Sequence, residues 1–195
     1  MTKTYESRKK YPKPDPDTRF PHNPFPFPEP RDIPEHEEVA RKVFLLIRNN
    51  LADNGARPVA SLGGGSPDIT VEGPTTTLIT LTNVFHLVPE PGSDQRISAR
   101  IWNLGGDAAM NARIRFWEVR TLQGSPPEPQ LIGQAFRGIP AESTIVVQCP
   151  VQWRPVDAHR VSVMVEAADS SRDPVTSPFA PLSDRHFAQK IICSN

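Results

Sequence analysis

Apolar residues follow one period before residue 54 and another after residue 66. From Pro67 onward they alternate with polar ones, the period of a strand with one buried face. Ile97, Ala99 and Ile101 share one side of a strand predicted at 96–102. Ile114 and Phe116 point inward from a strand at 112–117, leaving Arg113, Arg115 and Trp117 outward. Ile145, Val147, Cys149, Val151 and Trp153 alternate through 144–153, as do Val161, Val163, Val165 and Ala167 through 160–168. Shorter strands are predicted at 68–72, continued by 77–82, and at 130–136 and 185–192. Seven or eight short strands separated by turn residues predict an antiparallel β-sandwich over residues 67–195. About 125 residues bury a sufficient core without disulfides or metals.

Upstream the period is helical. Asp32-Ile33-Pro34-Glu35 reads as a capped start with proline where its missing N–H costs nothing. Val39, Val43, Leu46 and Ile47 recur at helical spacing, and Ala40, Phe44 and Leu51 widen the stripe. Asn49, Asn50 and Gly55 are stop signals, so an amphipathic helix is predicted over 33–53. Its apolar face needs a partner, either the adjacent domain or a neighbouring subunit. Residues 54–66 end in Gly63-Gly64-Gly65-Ser66, a flexible connector. No Lys-[Ser/Thr] pair or helical pattern follows, so it is not a phosphate loop.

Residues 1–34 are set apart by nine prolines between Pro12 and Pro34. Each ring fixes φ and removes a donor, which predicts an extended arm. Phe20, Phe25 and Phe27 lie among these prolines, where a pure spacer needs no phenylalanine. An extended peptide with apolar anchors loses little entropy on docking, so the arm is expected on another molecule or folded back on its own domain.

Composition narrows the function classes. The chain has 195 residues, 23 of them proline, and balances 22 Lys+Arg against 22 Asp+Glu. Zero net charge gives no footing for nucleic acid, and no apolar run is long enough to span a membrane. The first thirteen residues lack the apolar run of a secretory leader, which predicts cytoplasmic synthesis. Cys149 and Cys193 are too sparse for a disulfide framework or a zinc site and read as free thiols.

No catalytic chemistry is expected. Five histidines are scattered, and neither a nucleophile elbow nor a paired-histidine metal motif occurs. Asp169, Asp173 and Asp184 lack calcium-loop spacing and read as a solvated acidic loop. Catalytic residues, metal and cofactor are therefore all expected to be none.

Several short motifs carry a resemblance. They include P-D-I at 67–69, I-W-N-L-G-G at 101–106, A-R-I-R-F at 112–116 and L-I-G at 131–133. Others are I-P-A at 139–141, W-R-P at 153–155, H-R-V-S-V at 159–163 and D-R-H-F-A-Q-K at 184–190. With these, residues 67–192 resemble the CARDB-like bacterial immunoglobulin-like β-sandwich domains. The resemblance implies an adhesion, accessory or assembly module, a kind usually found in exported multidomain proteins.

The whole reads as a mainly β protein: an immunoglobulin-like antiparallel β-sandwich preceded by a Pro-rich extended arm and one amphipathic helix. The expected function is a non-enzymatic assembly subunit of a larger complex, such as a released phage-like particle, docking through residues 1–53. Expected partner-binding residues are Phe20, Phe25, Phe27, Val39, Val43, Phe44, Leu46, Ile47, Arg115 and Trp117. The alternative is a binding module whose sandwich loops recognise a carbohydrate or protein ligand.

Overall fold

The computed structural model describes residues 42–61, 65–79, 85–120, 128–156 and 161–192. The chain divides into units Met1–Ile33 and Pro34–Asn195, and every described residue belongs to the second. The arm at 1–34 and the front of the predicted helix, 33–41, lie outside the described residues.

The fold is mainly β and its sheets are antiparallel. In one sheet β5 (Arg96–Asn103) is central. On one side it pairs with β8 (Ser143–Gln148). Its other side is shared by β1 (Leu45–Leu46), opposite Trp102 and Asn103, and β2 (Ile69–Glu72), opposite Arg96 to Ala99. The second sheet has the order β10 (Phe187–Ile191), β9 (Val161–Ala168), β6 (Ala109–Arg120), β7 (Glu128–Ile139). A hairpin of β3 (Thr75–Ile79) and β4 (Phe85–Pro89) stands between β2 and β5 in the chain. Residues 77–82 were expected to prolong the preceding strand; instead β3 pairs back with β4 as a separate ribbon.

Both four-stranded sheets contribute to one apolar cluster. Leu45, Ile69, Ile97, Ile101 and Val147 come from the first, and Ile114, Phe116, Val163, Val165 and Ala188 from the second, all buried. The alternation read along 96–102, 112–117 and 160–168 places these residues inward as expected. Trp153 lies beyond the end of β8, buried, with Nε1 donating to the buried Glu118 carboxylate at 2.6 Å.

The predicted helix is not formed over residues 42–53, where the chain is extended and then turns. Val43, Leu45 and Ile47 alternate at a spacing of two and enter the core together. Phe44 N–H donates to Asn103 Oδ1 (3.1 Å), Leu104 N–H to Phe44 O (2.9 Å), and Leu45 N–H to Asp173 Oδ2 (2.6 Å). Gly105 admits this segment, since a Cβ there would lie 1.8 Å from Lys42 O.

The described part of the predicted linker is fastened as well. Val59 N–H donates to Leu182 O, Ser66 N–H to Gln189 O and Ser66 Oγ to Arg48 O. The body therefore includes Val43 and does not begin at Pro67.

Candidate interaction surface

The outer face of the second sheet has two halves. On β9 and β10 the outward side chains Met164 and Phe187 are themselves buried, with Val119 and Val175 beside them. The connection between β9 and β10 lies over them. Its Phe179 ring meets Phe187 at 5.7 Å and packs edge-on against Trp117 at 5.0 Å. Phe179 has φ of 55°, a left-handed conformation costly for a bulky residue, and stays 40% exposed.

The half formed by β6 and β7 is open. Register places Arg113 opposite Phe136, Arg115 opposite Gln134 and Trp117 opposite Leu131. Phe136 and Leu131 are 48% and 50% exposed, large values for such side chains in a sheet. The arginines do not extend freely into solvent. Glu166, fully buried on β9, receives Arg115 Nε at 3.0 Å and Nη2 at 2.7 Å, and Arg113 Nη2 at 3.3 Å. Arg115 also lies over the Trp117 ring, 5.1 Å from its centroid. The result is an aromatic and aliphatic surface whose cations are held flat by one buried carboxylate.

The expected contact residues therefore part company. Arg115 and Trp117 lie on this open half. Phe20, Phe25, Phe27 and Val39 lie outside the described residues. Val43, Leu46 and Ile47 are buried within the protein's own body, at 3% exposure or less, which corrects their placement on a docking helix. Phe44 is half-buried beneath the Arg185 guanidinium, 4.1 Å from its ring centroid. Sequence reasoning missed Leu131, Phe136 and Phe179. Leu131 belongs to the L-I-G motif read only as a fold mark, and Phe179 gave no periodic signal.

The acids read as a solvated loop are instead buried acceptors that fasten the connection. Asp184 Oδ2 accepts from Thr176 N–H, Thr176 Oγ1 and Ser177 N–H at 2.7–2.9 Å. Its Oδ1 lies 2.6 Å from His186 Nδ1 and accepts His186 N–H at 2.9 Å. Burial disfavours the Asp184 charge, but these partners outweigh it and hold the carboxyl far below its usual range. His186 Nε2 stands 3.2 Å from Asp173 Oδ1, within ion-pair reach but without the alignment of a hydrogen bond. Burial also opposes the His186 charge, yet the two aspartates prevail and its pKa is raised. Asp173 is further paired with Arg185, so β1, the connection and the start of β10 meet at one buried polar cluster. Asp169 accepts from Ser171 and Arg172 N–H, and these bonds overcome burial to lower its pKa.

A second cluster centres on buried Asp68. It takes both arms of Arg48 (3.0 and 2.7 Å) and Trp102 Nε1 (2.9 Å), while Arg48 stacks 4.5 Å from the Trp102 ring centroid. Trp102 and Arg100 belong to the first sheet, so they form no common patch with Arg115 and Trp117. Cys149 is buried and unpaired, and burial pushes its thiol pKa up. Among the described residues no group of three His, Cys, Asp or Glu side chains is arranged to hold a metal ion, and no helix is long and apolar enough to cross a membrane.

No family model and no curated protein matches the chain. Among solved structures it is similar to DesR, a β-glucosidase from Streptomyces venezuelae in complex with D-glucose, at 12% identity and a TM-score of 0.30. The match covers 66% of this chain and spans only 15% of that protein. A likeness of that degree says nothing about the activity of this chain.

Proposed function

We propose that the two sheets form an immunoglobulin-like sandwich of the CARDB-like kind, serving as a non-enzymatic subunit of a larger assembly. The sheet order and the shared core support the fold. The open half of the second sheet carries the function: Leu131 stands exposed opposite Trp117 and Phe136 opposite Arg113, Phe179 borders this half against the Trp117 ring, and arginines are immobilised among them. Aromatic and Arg side chains held rigid on a surface are typical anchors of protein interfaces. The arm, with Phe20, Phe25 and Phe27 among its prolines, is the reaching element and docks on a neighbouring copy. With Val43, Leu46 and Ile47 in the body's own core, the task of reaching falls to those three phenylalanines. Assembly begins in the cytoplasm, and a released phage-like particle is the setting proposed.

Sedimentation velocity of the full chain over a concentration series tests this reading. The wild type is expected to build species beyond a dimer, and a Phe20→Ser/Phe25→Ser/Phe27→Ser variant to build none. A wild type that never exceeds a dimer, or an arm variant that assembles equally well, overturns it.

A further inference from the structure

We propose that β7 is a homotypic pairing edge, joining antiparallel to β7 of a second copy about a two-fold axis between Ile132 and Gly133. Three observations lead there, all from described residues and independent of the arm.

The first is the state of the sheet edges. A row of unpaired backbone groups invites another strand unless it is short, covered, or interrupted by charge, proline or a bulge. β7 carries Glu128, Arg137, Pro129 and a bulge at Ile132, which reject a mismatched strand but not one with the same devices in matching register. The β10 edge is covered where Ser66 N–H donates to Gln189 O at 2.8 Å, with Gly65 against the backbone of Lys190 and Ile191. In the first sheet one edge is broken into β1 and β2, of two and four residues, and the other, β8, is six residues long. By contrast, β7 runs for twelve residues at the end of its sheet, and nine of them from Glu128 to Arg137 are at least partly exposed.

The second is charge. Glu128 and Arg137 are the only ionised residues of β7, near its opposite ends. In an antiparallel pair centred between Ile132 and Gly133, Glu128 of each copy meets Arg137 of the other, so symmetry forms the ion pair twice. In the single chain Arg137 Nη1 rests on the carbonyl of its neighbour Phe136 at 2.8 Å, an exposed contact that it exchanges for the carboxylate.

The third is the bulge. Arg137 follows Glu128 by nine positions, and an odd offset places two side chains on opposite faces of a regular strand. Here Phe116 pairs with Gly133 and Trp117 with Leu131, leaving Ile132 as an extra residue. That insertion restores the phase. Arg137 lies opposite inward Ala112, and Glu128 opposite Arg120, which shares its face with inward Glu118. Both charges therefore project on one face, and the same register sets Phe136 against the partner's Pro129. Without the bulge the charges would miss each other.

The test uses full-length protein in the Phe20→Ser/Phe25→Ser/Phe27→Ser background, which removes arm-driven assembly, with dimerisation read by sedimentation velocity. The parent is expected to dimerise. Glu128→Arg alone and Arg137→Glu alone each create two like-charge pairs and weaken the dimer by about tenfold or more. Mixing the two variants restores opposite charges at both sites, so the mixture regains parental affinity as a heterodimer. A monomeric parent, singles that dimerise like the parent, or a mixture no tighter than its components overturns the pairing. The arm reading fails by a different result, a wild type that stops at the dimer.

Discussion

Gly105→Ala is the sharpest test of the architecture because it separates steric exclusion from backbone strain. No left-handed φ is involved at Gly105, so an alanine there is conformationally ordinary and on backbone entropy alone adds about 0.4–1 kcal/mol of stability. The added Cβ, however, would sit 1.8 Å from Lys42 O and 2.8 Å from Phe44 N. A backbone atom cannot yield as a flexible side chain does, so residues 42–44 must move away. That movement threatens the bonds Leu104 N–H to Phe44 O and Phe44 N–H to Asn103 Oδ1, each worth about 0.5–1.5 kcal/mol. It also loosens Val43 and Leu45, whose full burial is worth about 1.5–3 kcal/mol apiece. With partial relaxation, a loss of about 2–4 kcal/mol is expected, well above the entropic gain. Gly92→Ala is the control: its Cβ meets nothing within 4 Å but its φ is +75°, so about 1–2 kcal/mol of pure strain is expected. Urea titration followed by Trp fluorescence gives both values. A Gly105→Ala protein within about 0.5 kcal/mol of wild type would refute the placement of the extended segment 42–47 against residues 103–105.

Two further outcomes follow from the buried polar groups. The raised pKa of His186 means its protonated form stabilises the fold fully below about pH 6.5, and this contribution is lost as pH rises through the folded value. The lowered Asp184 contributes above about pH 4 and fails only as acid approaches its folded value, so urea midpoints should peak between these limits; His186→Gln should flatten the alkaline decline, and an unchanged slope would contradict the cluster. Trp153→Phe removes both the N–H that Glu118 accepts at 2.6 Å and the volume of the five-membered ring from a buried site, so a loss of at least about 1–3 kcal/mol in urea unfolding is expected, and a neutral result would contradict the buried placement of Trp153 against Glu118.

Strands with one buried face were legible because their partners impose a period that the residues themselves display. Ile97, Ala99 and Ile101 announce a half-buried strand whatever they pair with. The run K-V-F-L-L-I-R was not legible in this way. Val43, Leu46 and Ile47 fit a helix while Val43, Leu45 and Ile47 fit a strand, and a run this short satisfies both periods. What decides is non-local: Asn103 and Asp173, 59 and 128 residues away, supply the partners for its backbone. The acids failed for a related reason. Asp173 and Asp184 look like solvent-facing residues in a Ser/Arg-rich loop, and only the fold reveals His186, Arg185 and the backbone N–H groups that satisfy them. On the open half, Arg113, Arg115 and Trp117 were placed outward from alternation alone, but Glu166 was invisible as their anchor because it sits 51 residues from Arg115.

That anchor bears on how such a surface works. A free Arg or Trp loses rotamer freedom when it binds, at about 0.5–1.5 kcal/mol for each side chain immobilised. Here Glu166 has already fixed Arg115 and Arg113, Arg115 lies on Trp117, and Phe179 holds the far edge of the same indole. Phe179 is itself held by a connection tied down through Asp184, His186 and Asp173. On the proposed docking, the ordering cost of the receiving face is met during folding, and the prolines of residues 1–34 reduce the conformations that sequence has to give up. On the assembly reading, contacts that are individually small suffice because neither side has much disorder left to lose. The same logic makes the buried acids, and not only the exposed aromatics, determinants of assembly: loosening the Asp184 cluster should free Phe179 and weaken association before it unfolds the body.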